Sequence, residues 1–441
     1  MKAWARQSRG YILTILTLVY LVNFIDRQIL SILLQPIKDE FHVSDAALGL
    51  LIGPTFAFFY AVLGLPMGML ADRMNRRTLI GLSLVLFSVM TAICALVGQF
   101  WQLIVARIWT GVGEAGTGPA SQTMIADLYA PAERSRAQAI YATGANLGVL
   151  VAFAFGGFVA DRFGWRAAFL LAGAPSLVLA IILFATLEDV PRGRSDGIVD
   201  EEPAAALSAV VRRLWESKAF RYTALGACST CFTGYAVFGF FPAFLARSHG
   251  MRLSEIGLTV ALITGVGGGV ATYLSGYFAD RMARRDIRWN LYIPAIAAFI
   301  PLPFAPICFL SDDVAVALAA AIPILALTAA FIGPVITIVQ QLVPLRMRAT
   351  SVAVLILIDN IVGLGLGPQF VGLVSDSLRP ALGSNSLRIA LLTAMIGSIV
   401  SVIGFLLAAR HVRAELGECH DDLVMAPRPS GRRPVRNRSP H

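Results

Sequence analysis

Twelve separate runs of about 20 or more residues, almost wholly apolar, fix the solvent in which this chain folds. A helix rising ~1.5 Å per residue needs about 20 such residues to cross ~30 Å of hydrocarbon. The runs fall at about 11–35, 46–71, 78–98, 101–128, 136–160, 165–187, 220–246, 254–279, 288–310, 314–343, 348–375 and 387–410. Composition agrees, because 57% of the 441 residues are hydrophobic and 14% charged, against roughly 45–50% and about 25% in soluble chains. The chain is therefore an all-α membrane protein with twelve transmembrane helices, which excludes a soluble enzyme, a disordered chain and a secreted disulfide scaffold.

Net charge is +9, but the basic residues stand between the runs, so they set orientation and do not suggest nucleic acid. The N-terminus, the loops on its side, the central insert and the tail are rich in Lys and Arg. The opposite loops hold only Lys38, Arg162, Arg166, Arg247, Arg252, Arg379 and Arg388. The positive-inside rule then places both termini in the cytoplasm, with the cell (inner) membrane as the location. Lys2, Arg6 and Arg9 precede the first run as in a signal peptide, yet Asp26 and Arg27 lie inside it and no small-residue cleavage site follows, so it reads as a retained helix. Cys94, Cys228, Cys231, Cys308 and Cys419 are odd in number, and Cys228-x-x-Cys231 sits in an apolar helix, which points to packing and not to a disulfide or metal pair.

One polar insert, Glu188 to Ala219, divides the runs six and six. A short pattern recurs four times: Gly68-Met-Leu-Ala-Asp72, Gly157-Phe-Val-Ala-Asp161, Gly276-Tyr-Phe-Ala-Asp280 and Gly372-Leu-Val-Ser-Asp376 end runs two, five, eight and eleven. The chain thus reads as a duplicated six-helix unit, each half carrying two related three-helix pieces, as in transporters with a midplane site between two bundles. The expected parts are an N-terminal bundle (1–187), a cytoplasmic linker (188–219), a C-terminal bundle (220–410) and a disordered tail (411–441). Within the linker, Leu207, Val210, Val211, Leu214 and Trp215 oppose Arg212, Arg213 and Lys218; a helix lying on the cytoplasmic leaflet and an exposed linker helix both fit.

A charge at a helix centre costs roughly 2.5–3.5 kcal/mol, so ionisable residues in the runs are the candidate site. Asp26 and Arg27 lie in run one, Arg107 and Glu114 in run four, and Asp359 alone in run eleven. By rise per residue, Asp26 lies about 22 Å and Glu114 about 21 Å from the cytoplasmic edge, so they are level. Two acids and two arginines at midplane suit a proton-linked site for an anion, since carboxylates carry protons and Arg grips phosphate or carboxylate bidentately. Static ion pairs locking the two helices are the competing reading. Asp359, followed by Asn360, is either a second proton site or a structural hydrogen bond at a kink. Gly111-Val-Gly-Glu-Ala-Gly116 matches a dinucleotide loop in letters only; inside an apolar helix its small residues fit close helix packing. No metal set, cofactor motif or pair of nucleophile and base is visible, so no enzyme activity is expected.

Helix seven, Cys231-Phe-Thr-Gly-Tyr-Ala-Val-Phe-Gly-Phe-Phe241, and the uncharged helix ten suggest an aromatic, apolar wall opposite the charged one, suited to an amphiphile; core or lipid-facing aromatics are the alternative. Gly68, Asp72, Arg73, Arg76 and Arg77 recur as Gly276, Asp280, Arg281, Arg284 and Arg285. Asp72 is expected at the positive N-terminus of helix eleven and Asp280 at that of helix five, closing the cytoplasmic side.

At these residues the chain resembles the major facilitator superfamily, and Asn23-Phe-Ile-Asp26-Arg27 with Arg107-x-x-x-Gly-Val-Gly-Glu114-Ala resembles its spinster family of lipid transporters. Asn75 stands where that superfamily usually has Gly, and the Gly-Pro of the exporters' helix-five motif is missing. The resemblance implies a monomer moving an anionic amphiphilic lipid, a lysophospholipid or a sphingosine phosphate-like molecule, with protons. Asp26 and Glu114 would be the proton switches and Arg27 and Arg107 the headgroup ligands. A symporter of a small organic anion carries similar residues; a scramblase or membrane sensor on this scaffold is the reading from another class.

Overall fold

The computed structural model describes residues 8–188, 190, 207–344 and 347–425. The linker between 190 and 207 and the tail after 425 lie outside the described residues. Helix one is Arg9–Phe41, begun by Ser8, whose side chain accepts from Tyr11 N at 3.1 Å. Helix two is Asp45–Ile52 running on as Pro54–Arg73; helix three is Arg76–Cys94; helix four is Phe100–Ala115 with Thr117–Leu128. Helices five and six share the stretch Pro131–Thr186, divided at Gly164, whose φ of 83° is open only to glycine. After Leu207–Glu216 come helix seven (Lys218–His249), helix eight (Leu253–Ala261 and Gly268–Ala283, joined by a π-helical Leu262–Gly267), helix nine (Trp289–Phe299 with Pro301–Leu310) and helix ten (Val314–Ala326 with Ile332–Gln341). Helix eleven is Arg348–Asp359 and Gly367–Leu382 around a π-helical Asn360–Leu366, and helix twelve is Ser386–Ala394 with Ile396–Met425.

Nine helical segments among the described residues are long and apolar enough to cross a membrane. Two of these, Arg136–Thr186 and Thr350–Leu416, each fold back once and hold two crossings. Helix four makes the twelfth crossing, its two pieces individually short because the chain breaks at Gly116. An even number of crossings returns both ends to one face, here called the terminal face; the other is the distal face.

The cores show how the halves meet. One cluster, built from Leu16, Leu84, Ile125 and Leu183, belongs to the first half alone, and another, with Phe220, Val339 and Phe405, to the second alone; both lie toward the terminal face. The largest cluster joins Leu33, Leu51 and Phe153 to Phe240, Val260 and Val371, crossing between the halves toward the distal face. Among the described residues the halves are therefore sealed together distally, and no buried cluster joins them toward the terminal face.

One expectation changes. The tail does not start at 411, because helix twelve continues to Met425. The sequence from His411 holds no proline before Pro427, Arg413 pairs with Asp286 at 2.9 Å, and Glu415 accepts from Ala219 N at 3.0 Å at the start of helix seven. The linker helix Leu207–Glu216 buries Val210 and Leu214 against the second half while Leu207, Val211 and Trp215 stay exposed.

Candidate functional site

Adjacent residues on a helix point about 100° apart, and this sorts the midplane charges. Asp26, wholly buried, faces Arg107, which is 2% exposed: Arg107 Nη1 donates to Asp26 Oδ2 at 2.7 Å, and Thr91 Oγ1 of helix three donates to Asp26 Oδ1 at 2.7 Å. Arg27 turns to the other acid, and its Nη2 is paired with Glu114 Oε1. Arg107 also reaches the Arg27 carbonyl at 3.4 Å. The four charges of the sequence are thus two ion pairs between helices one and four, with no net charge. Asn23 fixes the same contact a turn earlier, donating to Thr117 Oγ1 at 2.7 Å, and Thr117 donates to the Glu114 carbonyl at 2.8 Å.

The two pairs differ in how completely they are satisfied. Both oxygens of Asp26 are used. Glu114 is 3% exposed, and its Oε2, like the Nε atoms of Arg27 and Arg107, has no hydrogen-bond partner. Around Arg27 stand three aromatic rings, Phe24 and Phe56 with centroids 5.0 Å from its guanidinium and Tyr60 at 4.9 Å. The Phe56 ring is also 4.9 Å from the guanidinium of Arg107, so one ring serves both cations. Phe56, Ala57 and Tyr60 meet Tyr235 of helix seven and Leu364 of helix eleven, which brings the second half to the site.

Why helix four can come so close is legible in its glycines. A Cβ on Gly111 would lie 3.1 Å from the Phe56 carbonyl, and one on Gly113 would lie 2.9 Å from Phe87 N. The G-x-G-x-x-G letters therefore serve helix packing against helices two and three.

Asp359 sits apart from the four charges, in the second half. Cys228 Sγ donates to its Oδ1 at 3.2 Å, and the helix widens into its π-turn at the next residue, Asn360, whose side chain donates to the Ile356 carbonyl at 2.9 Å. Cys228 and Cys231 are both free thiols. The aromatic stretch of helix seven divides as well: Phe240 and Phe241 are wholly buried core and do not line the site, and Tyr235 alone of that run joins the Phe56 cluster.

Two arginines of the repeated motif bond within their own half. Arg76, 2% exposed, pairs with Asp127 and bonds to the Val190 carbonyl, and Arg77 bonds to the Phe184 carbonyl. Arg73, Asp280, Arg281, Arg284 and Arg285 are exposed; the side chain of Asp72 lies outside the described residues. Sequence reasoning missed Thr91, Phe56 and Tyr60. Their only signal is position, for nothing marks one Phe among 26.

Two six-helix halves sealed on one face and enclosing paired charges at midplane define a secondary transporter. A family model described as Major Facilitator Superfamily matches residues 16–368, and the chain belongs to that superfamily. An MFS-type efflux pump of Mycolicibacterium smegmatis is 32% identical over 425 residues, 95% of each chain. Protein spinster homolog 1 of Mus musculus is 28% identical over 402 residues, 84% of this chain and 74% of that one. A crystal structure of a bacterial homolog of the human lysosomal transporter Spinster, inward-facing and unoccupied, superposes with a TM-score of 0.84 at 29% identity, covering 94% of this chain and 99% of that one. Within the superfamily the chain is homologous to the spinster proteins.

Proposed function

We propose that this transporter couples protons to the movement of an anionic amphiphilic lipid, a lysophospholipid or sphingosine phosphate-like molecule, by alternating access in the cell (inner) membrane, with the terminal face cytoplasmic. The observation that carries the reading is the Arg27–Glu114 pair: a cation ringed by three aromatics, bound to a buried carboxylate with one oxygen unpartnered. A phosphate or carboxylate headgroup that takes Arg27 bidentately displaces Glu114. A carboxyl left in hydrocarbon without its cation takes up a proton, so anion and proton are held at the site together. Asp26, with Thr91 and Arg107 occupying both oxygens, responds second, when Arg107 follows Arg27 toward the headgroup. The aromatic ring set and a helix ten without any ionisable residue support an amphiphile over a fully polar cargo.

The test is flux into proteoliposomes under an imposed proton gradient, comparing a labelled lysophospholipid with a sugar acid. Lipid flux that needs the gradient and is lost in Glu114→Gln is the expected result. Flux of the sugar acid alone refutes the lipid cargo, and lipid movement indifferent to the gradient refutes the coupling and indicates a scramblase.

A further inference from the structure

We infer that Asp376, seconded by Asp161, is a positioning residue that clasps the distal face shut, and that the four Gly-x-x-x-Asp copies are two such clasps engaged in turn on opposite faces. The inference rests on alternating access and is independent of the cargo.

The start of helix two has four backbone N–H groups with no partner inside the helix. Ser44 serves one, its side chain accepting from Ala47 N at 3.1 Å. Two more are served from the second half: Asp376 Oδ1 accepts from Asp45 N at 3.0 Å and Oδ2 from Ala46 N at 2.7 Å. One turn earlier, Gly372 makes this reach possible, for a Cβ there would lie 2.3 Å from the Asp45 carbonyl oxygen. Beside the cap, the buried Asp45 carboxylate gathers Lys38 at 2.5 Å, Ser375 Oγ at 2.7 Å and Arg247 of helix seven at 2.9 Å.

The same module closes helices five and eight. A Cβ on Gly157 would lie 2.3 Å from the Leu253 carbonyl oxygen, and Asp161 accepts from Ser254 Oγ at 2.7 Å, at the start of helix eight. In both copies glycine admits the first turn of a helix from the other half, and the aspartate one turn on holds that turn. The copies on the terminal face show the opposite state. A Cβ on Gly68 or on Gly276 would meet nothing within 4 Å, and Asp280 is exposed. Contacts made in one state only weight the equilibrium toward that state by their own free energy.

Hydrogen–deuterium exchange of the full-length protein in nanodiscs, without added lipid substrate, tests this. Asp376→Ala should shift the balance toward distal opening by about fivefold, the usual effect of a lost aspartate cap. Exchange should rise at 253–261, remote from the substituted residue, while 68–75 and 276–285 become more protected. Asp376→Asn, which keeps one acceptor, should fall between, and Asp280→Ala should slow exchange at the distal face and reverse the Asp376→Ala shift in the double variant. Faster exchange on both faces in Asp376→Ala, or on neither, overturns the clasp, as does faster distal exchange in Asp280→Ala. A protein that moves no lipid would refute the proposed cargo and leave this result standing.

Discussion

Replacing Asp26 by alanine isolates the energetic difference between the two midplane ion pairs. Asp26 is wholly buried and Arg107 is 2% exposed, so the substitution leaves a guanidinium in a dry site. Its remaining acceptors, Thr110 Oγ1 and the Arg27 carbonyl, are both 3.4 Å away, too long to replace a 2.7 Å carboxylate bond. Removing one partner of a buried pair costs about 3–5 kcal/mol, and the poor alternatives put Asp26→Ala at the upper end. Adding Arg107→Met removes the stranded charge and should recover about 3 kcal/mol of that loss, because an apolar side chain of similar volume has nothing to desolvate. Glu114→Gln should cost only about 1 kcal/mol, since the amide oxygen still accepts from Arg27 and the rings around that cation remain. Unfolding free energy measured in dodecyl maltoside with rising mole fraction of dodecyl sulfate gives all three losses, relative to the unsubstituted protein, on one scale. A double variant no more stable than Asp26→Ala, or Glu114→Gln costing as much as Asp26→Ala, refutes the reasoning.

Arg27→Lys keeps the charge but loses the planar fork, so half-saturation for the lysophospholipid should rise about tenfold in flux assays while dependence on the proton gradient persists. Gly164→Ala forces a side chain onto a φ of 83° and should cost about 1–3 kcal/mol in the same unfolding series. Asp286 joins the loop before helix nine to helix twelve. Burial alone would push its carboxyl up, but hydrogen bonds from the backbone and side chain of Arg288, with Arg413 beside it, hold it below the ordinary carboxylate range. A group lowered by folding stabilises above its unfolded pKa of about 3.9 and loses that contribution as pH falls through its lower folded value. Exchange at the end of helix twelve should therefore rise on acidification below about pH 4, and in Asp286→Asn it should already be high at neutral pH.

Much of the fold is legible in the sequence because hydrocarbon imposes one length on every crossing, and the four Gly-x-x-x-Asp copies expose the duplication. Asp26, Arg27, Arg107 and Glu114 stand out for the same reason, as charges are costly where they lie. Their crossed pairing is not legible, because it depends on how helices one and four are rotated, and a rotation leaves composition and spacing unchanged. Phe56 and Tyr60 were hidden by the abundance of apolar aromatics around them. The state of the two faces was hidden more deeply: it shows in Gly372 pressed against Asp45 and Gly157 against Leu253, with Gly68 and Gly276 facing open space, and spacing along the chain carries none of this. The early end placed on helix twelve came from reading hydropathy alone, which sees the bilayer and not the polar ties of Arg413 and Glu415.

The crossed pairing has an electrical consequence. Moving one elementary charge through the membrane potential involves about 2.3 kcal/mol per 100 mV. Asp26 with Arg107 and Arg27 with Glu114 sum to zero, so when the halves rock around an empty site these four residues carry no current. Under the proposed coupling, a singly charged headgroup arriving with one proton would leave the sum at zero. Both the loaded and the returning carrier then move past the membrane voltage unopposed, and the pH difference together with the lipid's own gradient sets the direction of flow.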